Sequence, residues 1–161
     1  MKPNFVQRAM QIIPATRWGS WLLARTLHRI DPFLLRASRG RLSLPGLLIG
    51  LPTVLITMTG AKSGRRITLP LAVIPDGDRC ALIASNFGNA RNPAWYYNLR
   101  AHPQVECARD GRVEIYRARE IDGAEYDRIW QRAVELYIGY AAYKQRAGKR
   151  HIPILLLTPI Q

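Results

Sequence analysis

Hydrophobic positions change period along this chain, and the change marks its elements. Over residues 1–41 apolar residues recur at helical spacing, and Trp18, Trp21, Leu22, Leu23, Leu27 and Ile30 fall on one wide arc of a helical wheel. Arg25 and Arg29 flank that arc, and Asp31-Pro32 ends it. From residue 53 the pattern is that of β-structure. "TVLITMT" (53–59) is a continuous apolar, β-branched run, which predicts a strand buried on both faces. "ITLPLAVI" (67–74) predicts a second strand, "PDGD" a tight turn, and "RCALIASN" (79–86) a third strand. "FGNAR" reads as a loop. Asn92 then suits a helix N-cap and Pro93 a first helical residue, opening a helix over 93–102 that His102-Pro103 ends. "QVECARD" and "RVEIYRAREI" read as two strands around an Asp110-Gly111 turn. Asp122 and Glu125 form a capping-box pattern for a helix reaching about Tyr137. A shorter helical piece runs to about Ala147, and "HIPILLLTPI" (151–160) closes the chain as a strand.

Six short strands joined mostly by hairpins predict an α+β, mainly β fold: a six-stranded antiparallel barrel with flanking helices. Parallel crossovers would need a helix between most strands. The reading divides the chain into a basic amphipathic segment, 1–41, and a β-barrel domain, 42–161. The longest apolar stretch, residues 42–60, carries Pro45, Gly46, Gly50 and Pro52, which break it as a membrane span. Arginines interrupt the N-terminal segment, so no export signal is expected there, and a cytoplasmic location follows.

The formal net charge is +13 on 161 residues, with hydrophobic residues at 48%. A core can therefore form, and the surface field draws anions: phosphorylated ligands, acidic lipid or nucleic acid. Residues 1–41 hold Lys2 and seven arginines against Asp31 alone. Tryptophan beside arginine suits either a helix docked on the domain or one lying on an anionic inner membrane surface. Cys80 and Cys107 sit in strand-like runs and read as buried thiols.

Three stretches carry candidate chemistry. In "GAKSGRR", Gly60 and Gly64 permit a tight loop, while Lys62, Ser63, Arg65 and Arg66 supply charge and a hydroxyl. Such a loop is either a hairpin with solvated cations or a cradle whose amides and cations converge on an anion. In "ASNFGNARNPAWYYNL", Ser85 and Asn86 end a strand, Arg91 precedes a helix N-terminus, and Trp95 and Leu99 have the spacing of core residues. Tyr137, Tyr140 and Tyr143 share one helical face, either as a half-buried aromatic stripe or as the wall of a site for a quinone or nitroaromatic. The scattered His28, His102 and His151 match no zinc spacing, so no metal site is expected.

Taken together, "TGAKSGRRITLPL", "DGDRCALIASNFGNARNPAWYYNL" and "YIGYAAYKQRAGKRHIPILLL" resemble the deazaflavin-dependent nitroreductase family over about residues 53–158. That resemblance implies a split β-barrel related to FMN-binding flavin reductases. It also implies the coenzyme F420, a deazaflavin with a phosphate and an acidic glutamyl tail, with FMN as the alternative. The implied activity is hydride transfer to a quinone, enone or nitro-type acceptor. By the same analogy Gly60, Lys62, Ser63, Arg65 and Arg66 hold the phosphate and tail. Pro70, Leu71, Ala84, Ser85 and Asn86 line the ring, and Arg91, Asn92, Pro93 and Trp95 close the pocket. Ser85, Tyr137 and Tyr140 are the implied catalytic residues. Ala72, Tyr137, Tyr140 and Tyr143 face the acceptor. Ala72 stands where an aromatic residue is frequent in nitro-reducing members, which reshapes that wall. The resemblance further allows association with the inner face of the membrane. The chain is compatible with a homodimer, and no nucleic-acid partner is expected. A basic lipid- or nucleic-acid-binding protein without catalysis is the rival reading.

Overall fold

The computed structural model describes residues 51–109 and 112–160. The amphipathic 1–41 segment, the 42–50 stretch and the Asp110-Gly111 turn lie outside the described residues.

β1 (Thr53–Thr59) pairs antiparallel with β2 (Arg66–Ala72) along its whole length, from Thr53 opposite Ala72 to Thr59 opposite Arg66. Val54, Ile56 and Met58 are buried, whereas Thr53, Leu55, Thr57 and Thr59 are half-exposed. The expectation of a strand buried on both faces is corrected: β1 alternates. Its outer face carries a Thr57–Thr68 hydroxyl hydrogen bond of 2.8 Å and no covering helix among the described residues.

The run 67–74 is not one strand. It breaks at Val73, whose amide donates to the Pro52 carbonyl at 2.8 Å, and resumes as β3 (Ile74–Asp76). β3 turns through Gly77-Asp78 into β4 (Arg79–Ile83), with Asp76 opposite Arg79 and Gly77 at φ +68°. β5 (Gln104–Arg109), β6 (Arg112–Ile121) and β7 (Ile154–Pro159) complete seven strands among the described residues, one more than expected. Their order is β2-β1-β5-β6-β7-β4-β3, with every neighbouring pair antiparallel. Laid flat, the two edges of such a sheet would stand about 29 Å apart at the usual spacing of about 4.8 Å. Yet β2 and β3 are those edges, and only Val73 separates them. The sheet therefore curls until the end of β2 and the start of β3 come together, which makes the split antiparallel barrel.

This curling creates two cores. Val54, Ile56, Met58, Val73, Leu82, Ala84, Val105, Cys107, Leu155 and Leu157 fill the barrel. Tyr96 and Leu99, from α1 (Ala94–Ala101), join that interior core. Outside, α2 (Gly123–Leu136) lays Tyr126, Ile129, Trp130 and Ala133 over Ile74, Ala81, Ile83, Ile154 and Leu156. β4 and β7 thus have both faces buried, with alternate residues in alternate cores. α3 (Gly139–Ala147) adds Tyr140 and Tyr143 to the outer core. Among the described residues no helix is long and apolar enough to cross a membrane. Cys107 is buried and Cys80 half-buried, both as thiols, and burial pushes the Cys107 thiol up to about 12, which leaves it unreactive.

Both expected helix caps differ in detail. Asp122 is the N-cap of α2 by position, but its side chain makes no capping bond. Glu125 instead pairs with Arg119 at 2.7 Å and Arg79 at 3.6 Å. Pro93, not Asn92, occupies the N-cap of α1.

The α2–β3 seam holds one buried carboxylate. Asp76 accepts two bonds from Arg128, at 2.6 and 3.0 Å, and one from Arg79 at 2.7 Å. The Arg128 hydrogen bond leads in holding the Asp76 carboxyl below its ordinary value of 3.8, against an opposing push from burial. Its stabilisation is therefore complete above that ordinary value and disappears as pH falls through the lower folded one. Asp76→Asn should cost about 1–2 kcal/mol at neutral pH, and almost nothing well below the carboxylate range. Urea unfolding of both proteins at the two pH values measures this; an equal difference at both would refute it.

Candidate functional site

The loop between β1 and β2 is closed by its own backbone. The Gly60 amide donates to the Arg65 carbonyl at 2.9 Å, and the Gly64 amide to the Gly60 carbonyl at 2.9 Å. Gly64 takes φ +63°, a conformation that favours glycine. The Arg65 amide donates to Ser63 Oγ at 3.3 Å, and the Ala61 amide to Asn98 Oδ1 of α1 at 3.0 Å. Four amides are thus spent within the protein, which corrects the expectation that the loop's amides converge on an anion. What the loop presents outward is side chains. Lys62, Ser63 and Arg65 are exposed, and neither cation has a carboxylate partner among the described residues. Arg66 differs from its neighbours: it is paired with Glu106 on β5 at 2.6 Å.

On β2, Pro70 lies opposite Leu55. Leu71 packs on the barrel core, while Ala72 packs on the outer one, the core that also holds the three tyrosines. The predicted wall is therefore shared between two faces of one strand, as the two-residue period of a strand requires.

The segment after β4 is held from several sides. Ala84 and Ser85 are buried, and Ser85 leads into a 3₁₀ turn, Asn86–Gly88. Asn86, Phe87 and Gly88 take φ values of +47°, +56° and +80°, three successive left-handed residues of which two carry side chains. Each such non-glycine residue costs of order 1–3 kcal/mol and persists only where its surroundings compel it. Here they do. Gly88 lies so close to α3 that a Cβ would meet Arg146 Cβ at 2.6 Å and the Tyr143 carbonyl oxygen at 2.8 Å. The Phe87 ring meets Tyr143 edge-on at 5.7 Å. Asn86 Nδ2 donates to the Arg91 carbonyl at 2.8 Å.

Arg150, which the motif reading passed over, holds this segment from behind. Its Nε donates to the Asn89 carbonyl at 2.8 Å, Nη1 to the Ala84 carbonyl at 3.2 Å and to Asn92 Oδ1, and Nη2 to the Ser85 carbonyl at 2.6 Å. Asn92 is thereby drawn to Arg150 rather than to the helix it was expected to cap. Burial lowers the Arg150 pKa, but a guanidinium stays charged at neutral pH. A local pattern offers no sign of this, since Arg150 lies 58 to 66 residues from the groups it holds.

Arg91 is exposed, and Trp95 is half-buried on the barrel core. Tyr96 and Leu99 are the buried residues of α1, and Trp95 packs against the same core from its edge. Burial, with a hydrogen bond to Glu120 at 3.0 Å, raises the Tyr96 pKa.

The three tyrosines do not share one helix. Tyr137 follows α2, while Tyr140 and Tyr143 belong to α3. All three are buried, their rings packed edge to face at 5.5–6.1 Å, with the Tyr137 and Tyr143 hydroxyls 3.0 Å apart. Burial above all raises the Tyr137 and Tyr140 pKa values, so both hydroxyls stay protonated at neutral pH. Two described cavities lie elsewhere. One, of about 470 Å³, is bordered by Arg66, Glu106 and Arg117; the other, of about 420 Å³, by Cys80, Cys107, Glu114 and Tyr116. Neither contains Ser85, Asn86 or the three tyrosines.

The fold thus strings the three predicted stretches together. The loop bonds to α1 through Ala61 and Asn98, Arg150 ties the start of α1 to the 84–89 turn, and that turn rests on α3. The sequence profile of F420H(2)-dependent quinone reductases matches residues 28–159, most of the chain and all of these stretches. The chain belongs to that family.

An F420H(2)-dependent quinone reductase of Mycobacterium tuberculosis (strain ATCC 25618 / H37Rv) is 32% identical over 148 residues, 89% of this chain and 97% of that protein. A solved F420-H2-dependent reductase, FDR-A, shares 37% identity at a TM-score of 0.61, covering 66% of this chain and 94% of its own. A solved chain described as a domain-swapped dimer shares 31% identity at a TM-score of 0.63, covering 86% and 98%. The nitroreductase resemblance therefore resolves to the quinone reductase family, an oxidoreductase family whose coenzyme is F420, and F420 displaces FMN as the coenzyme. The donor set suits that coenzyme: Lys62 and Arg65 face solvent without carboxylate partners among the described residues, as a polyanionic tail requires.

Proposed function

We propose that this reductase binds reduced F420 across the 60–65 loop and the 84–92 turn and passes its hydride to a quinone. The observation that carries the reading is the linkage just described: loop cations without a carboxylate partner among the described residues, α1 and a forced left-handed turn form one connected constellation.

The coenzyme, when bound, supplies the hydride and its two electrons. The chain's own residues bind, orient and exclude water. Lys62 and Arg65 neutralise the tail. Pro70, Leu71 and Ala84 offer apolar contact to the ring. Ser85 and the Asn86 backbone amide donate hydrogen bonds to the acceptor oxygen that gains charge as hydride arrives. The acceptor takes up a proton as well, so a quinone leaves as a quinol. The packed tyrosines, held neutral by burial, keep water from that side and offer hydroxyl donors rather than bases. Ala72, small and on the same outer core, leaves room on the acceptor side.

Quinones reside in membranes, and the excess of arginine in residues 1–41 suits an anionic lipid surface. Both parts are tested in one assay, with and without anionic vesicles carrying a menaquinone. The chain should quench deazaflavin fluorescence at micromolar coenzyme and oxidise reduced F420 with the quinone. Turnover in vesicles should fall when residues 1–41 are removed, while coenzyme binding persists. Absence of quenching would end the coenzyme reading; vesicle turnover indifferent to the deletion would end the membrane part. Sedimentation of this chain checks for a homodimer; a solved relative is described as a domain-swapped dimer.

A further inference from the structure

We propose that Arg150 is the positioning residue of the coenzyme site, acting through the backbone of residues 84–92; this rests on the coenzyme reading above. Three observations carry it. First, the guanidinium spends Nε, Nη1 and Nη2 on four acceptors of one short segment: the carbonyls of Ala84, Ser85 and Asn89, and Asn92 Oδ1. It has no carboxylate partner among the described residues. A buried ion pair would make a structural strut of this kind; a guanidinium held by carbonyls leaves its charge uncompensated and available to the site.

Second, the described peptide bonds are all trans, so each C=O and the N–H that follows it point in opposite directions. Drawing the Ser85 and Asn89 carbonyls onto the guanidinium therefore turns the Asn86 and Ala90 amides away from it. Neither amide donates to a backbone carbonyl of the described residues. The guanidinium thus sets the direction of two donors and, by polarising their peptide groups, strengthens both. These are the amides of the segment assigned above to the ring and the acceptor oxygen.

Third, the segment holds a conformation its sequence does not favour. Asn86 and Phe87 are left-handed without being glycine. The contact of Gly88 with α3 fixes one end of the turn. Arg150 fixes the other, where Asn92 meets the start of α1. Lysine cannot replace it, because a single ammonium cannot span four acceptors that a planar fork reaches together.

The test compares the unaltered chain with Arg150→Ala and Arg150→Lys by F420 fluorescence titration, thermal unfolding and hydrogen exchange. Arg150→Ala should weaken F420 binding by about tenfold or more, as expected for losing several charge-assisted bonds. Added methylguanidinium should restore part of that affinity and methylammonium should not. Exchange should quicken at the amides of residues 86–92 while β4 and β7 stay protected. Arg150→Lys should keep the thermal midpoint closer to that of the unaltered chain, yet bind F420 several-fold more weakly. The proposal is overturned if Arg150→Ala binds F420 within about twofold of the unaltered chain. It is equally overturned if affinity falls without methylguanidinium rescue and with faster exchange everywhere, which marks a merely structural residue. Lack of F420 binding by the unaltered chain is a different result: it overturns the coenzyme reading itself, and with it the service assigned to Arg150.

Discussion

Gly88→Ala is expected to lose about 3–4 kcal/mol of unfolding free energy, and F420 affinity with it. Two costs add. At φ +80° an L side chain is strained, by of order 1–2 kcal/mol. The new Cβ would also lie 2.6 Å from Arg146 Cβ, 2.8 Å from the Tyr143 carbonyl oxygen and 3.2 Å from Tyr143 Cα. Two of these three are backbone atoms of a packed helix, which no rotamer change relieves. The turn must then lift from α3, taking Ser85 and Asn86 out of place. Gly64→Ala is the control. Its φ is +63°, but nothing lies within 4 Å of its added Cβ, so only the backbone cost of about 1 kcal/mol remains. Urea unfolding of the three proteins separates the terms. Equal losses for the two variants would mean that the turn does not press on α3, and the rigid platform proposed for the coenzyme would go with it.

Reversing both loop cations, Lys62→Glu with Arg65→Glu, should weaken F420 binding by about a hundredfold at low salt. Each attraction to a multiply charged tail becomes a repulsion, in a solvent-exposed setting where one pair is worth about 1 kcal/mol. Thermal stability should stay within a few degrees, since neither cation has a carboxylate partner among the described residues. The loss should shrink steeply as salt rises, because the Debye length falls to about 3 Å at 1 M. Arg66→Gln separates this loop from a diffuse basic surface. Arg66 is engaged with Glu106, so its removal should change coenzyme affinity less than about threefold. If Arg66→Gln proves as damaging as the double reversal, the tail lies against β2 and β5 rather than over the loop.

Much of the fold was legible because its signals are local. The 53–59 strand, the Gly77-Asp78 turn, the long β6 run and the two helices of the C-terminal half follow from periods and turn residues within ten or so positions. Where the reading erred, a distant partner overrode a local preference. Val73 broke a continuous β pattern because its amide met Pro52 and the chain had to cross from one sheet edge to the other. Asn92 left its capping role for Arg150. Glu125 left a capping box for Arg119 and Arg79. The loop's glycines announced a tight turn correctly, but not that the turn would consume its own amides. The helix break near Tyr137 was legible as well, but not that it would fold the tyrosine stripe into a buried cluster.

From its residues alone this protein is an antiparallel β domain with a strongly basic character, and three stretches in order resemble an F420-using family. Those are properties of neighbours in the chain, where side-chain alternation, turn chemistry and charge reside. The three-dimensional fold was needed to see that the described residues form a seven-stranded curled sheet, and that among them Lys62 and Arg65 have no carboxylate partner while Arg66 is taken up by Glu106. It also showed that Arg150 hydrogen-bonds to a turn some sixty residues away. Hydrogen bonds and ion pairs between remote segments leave no period in the sequence; their partners become known once the barrel has brought them together.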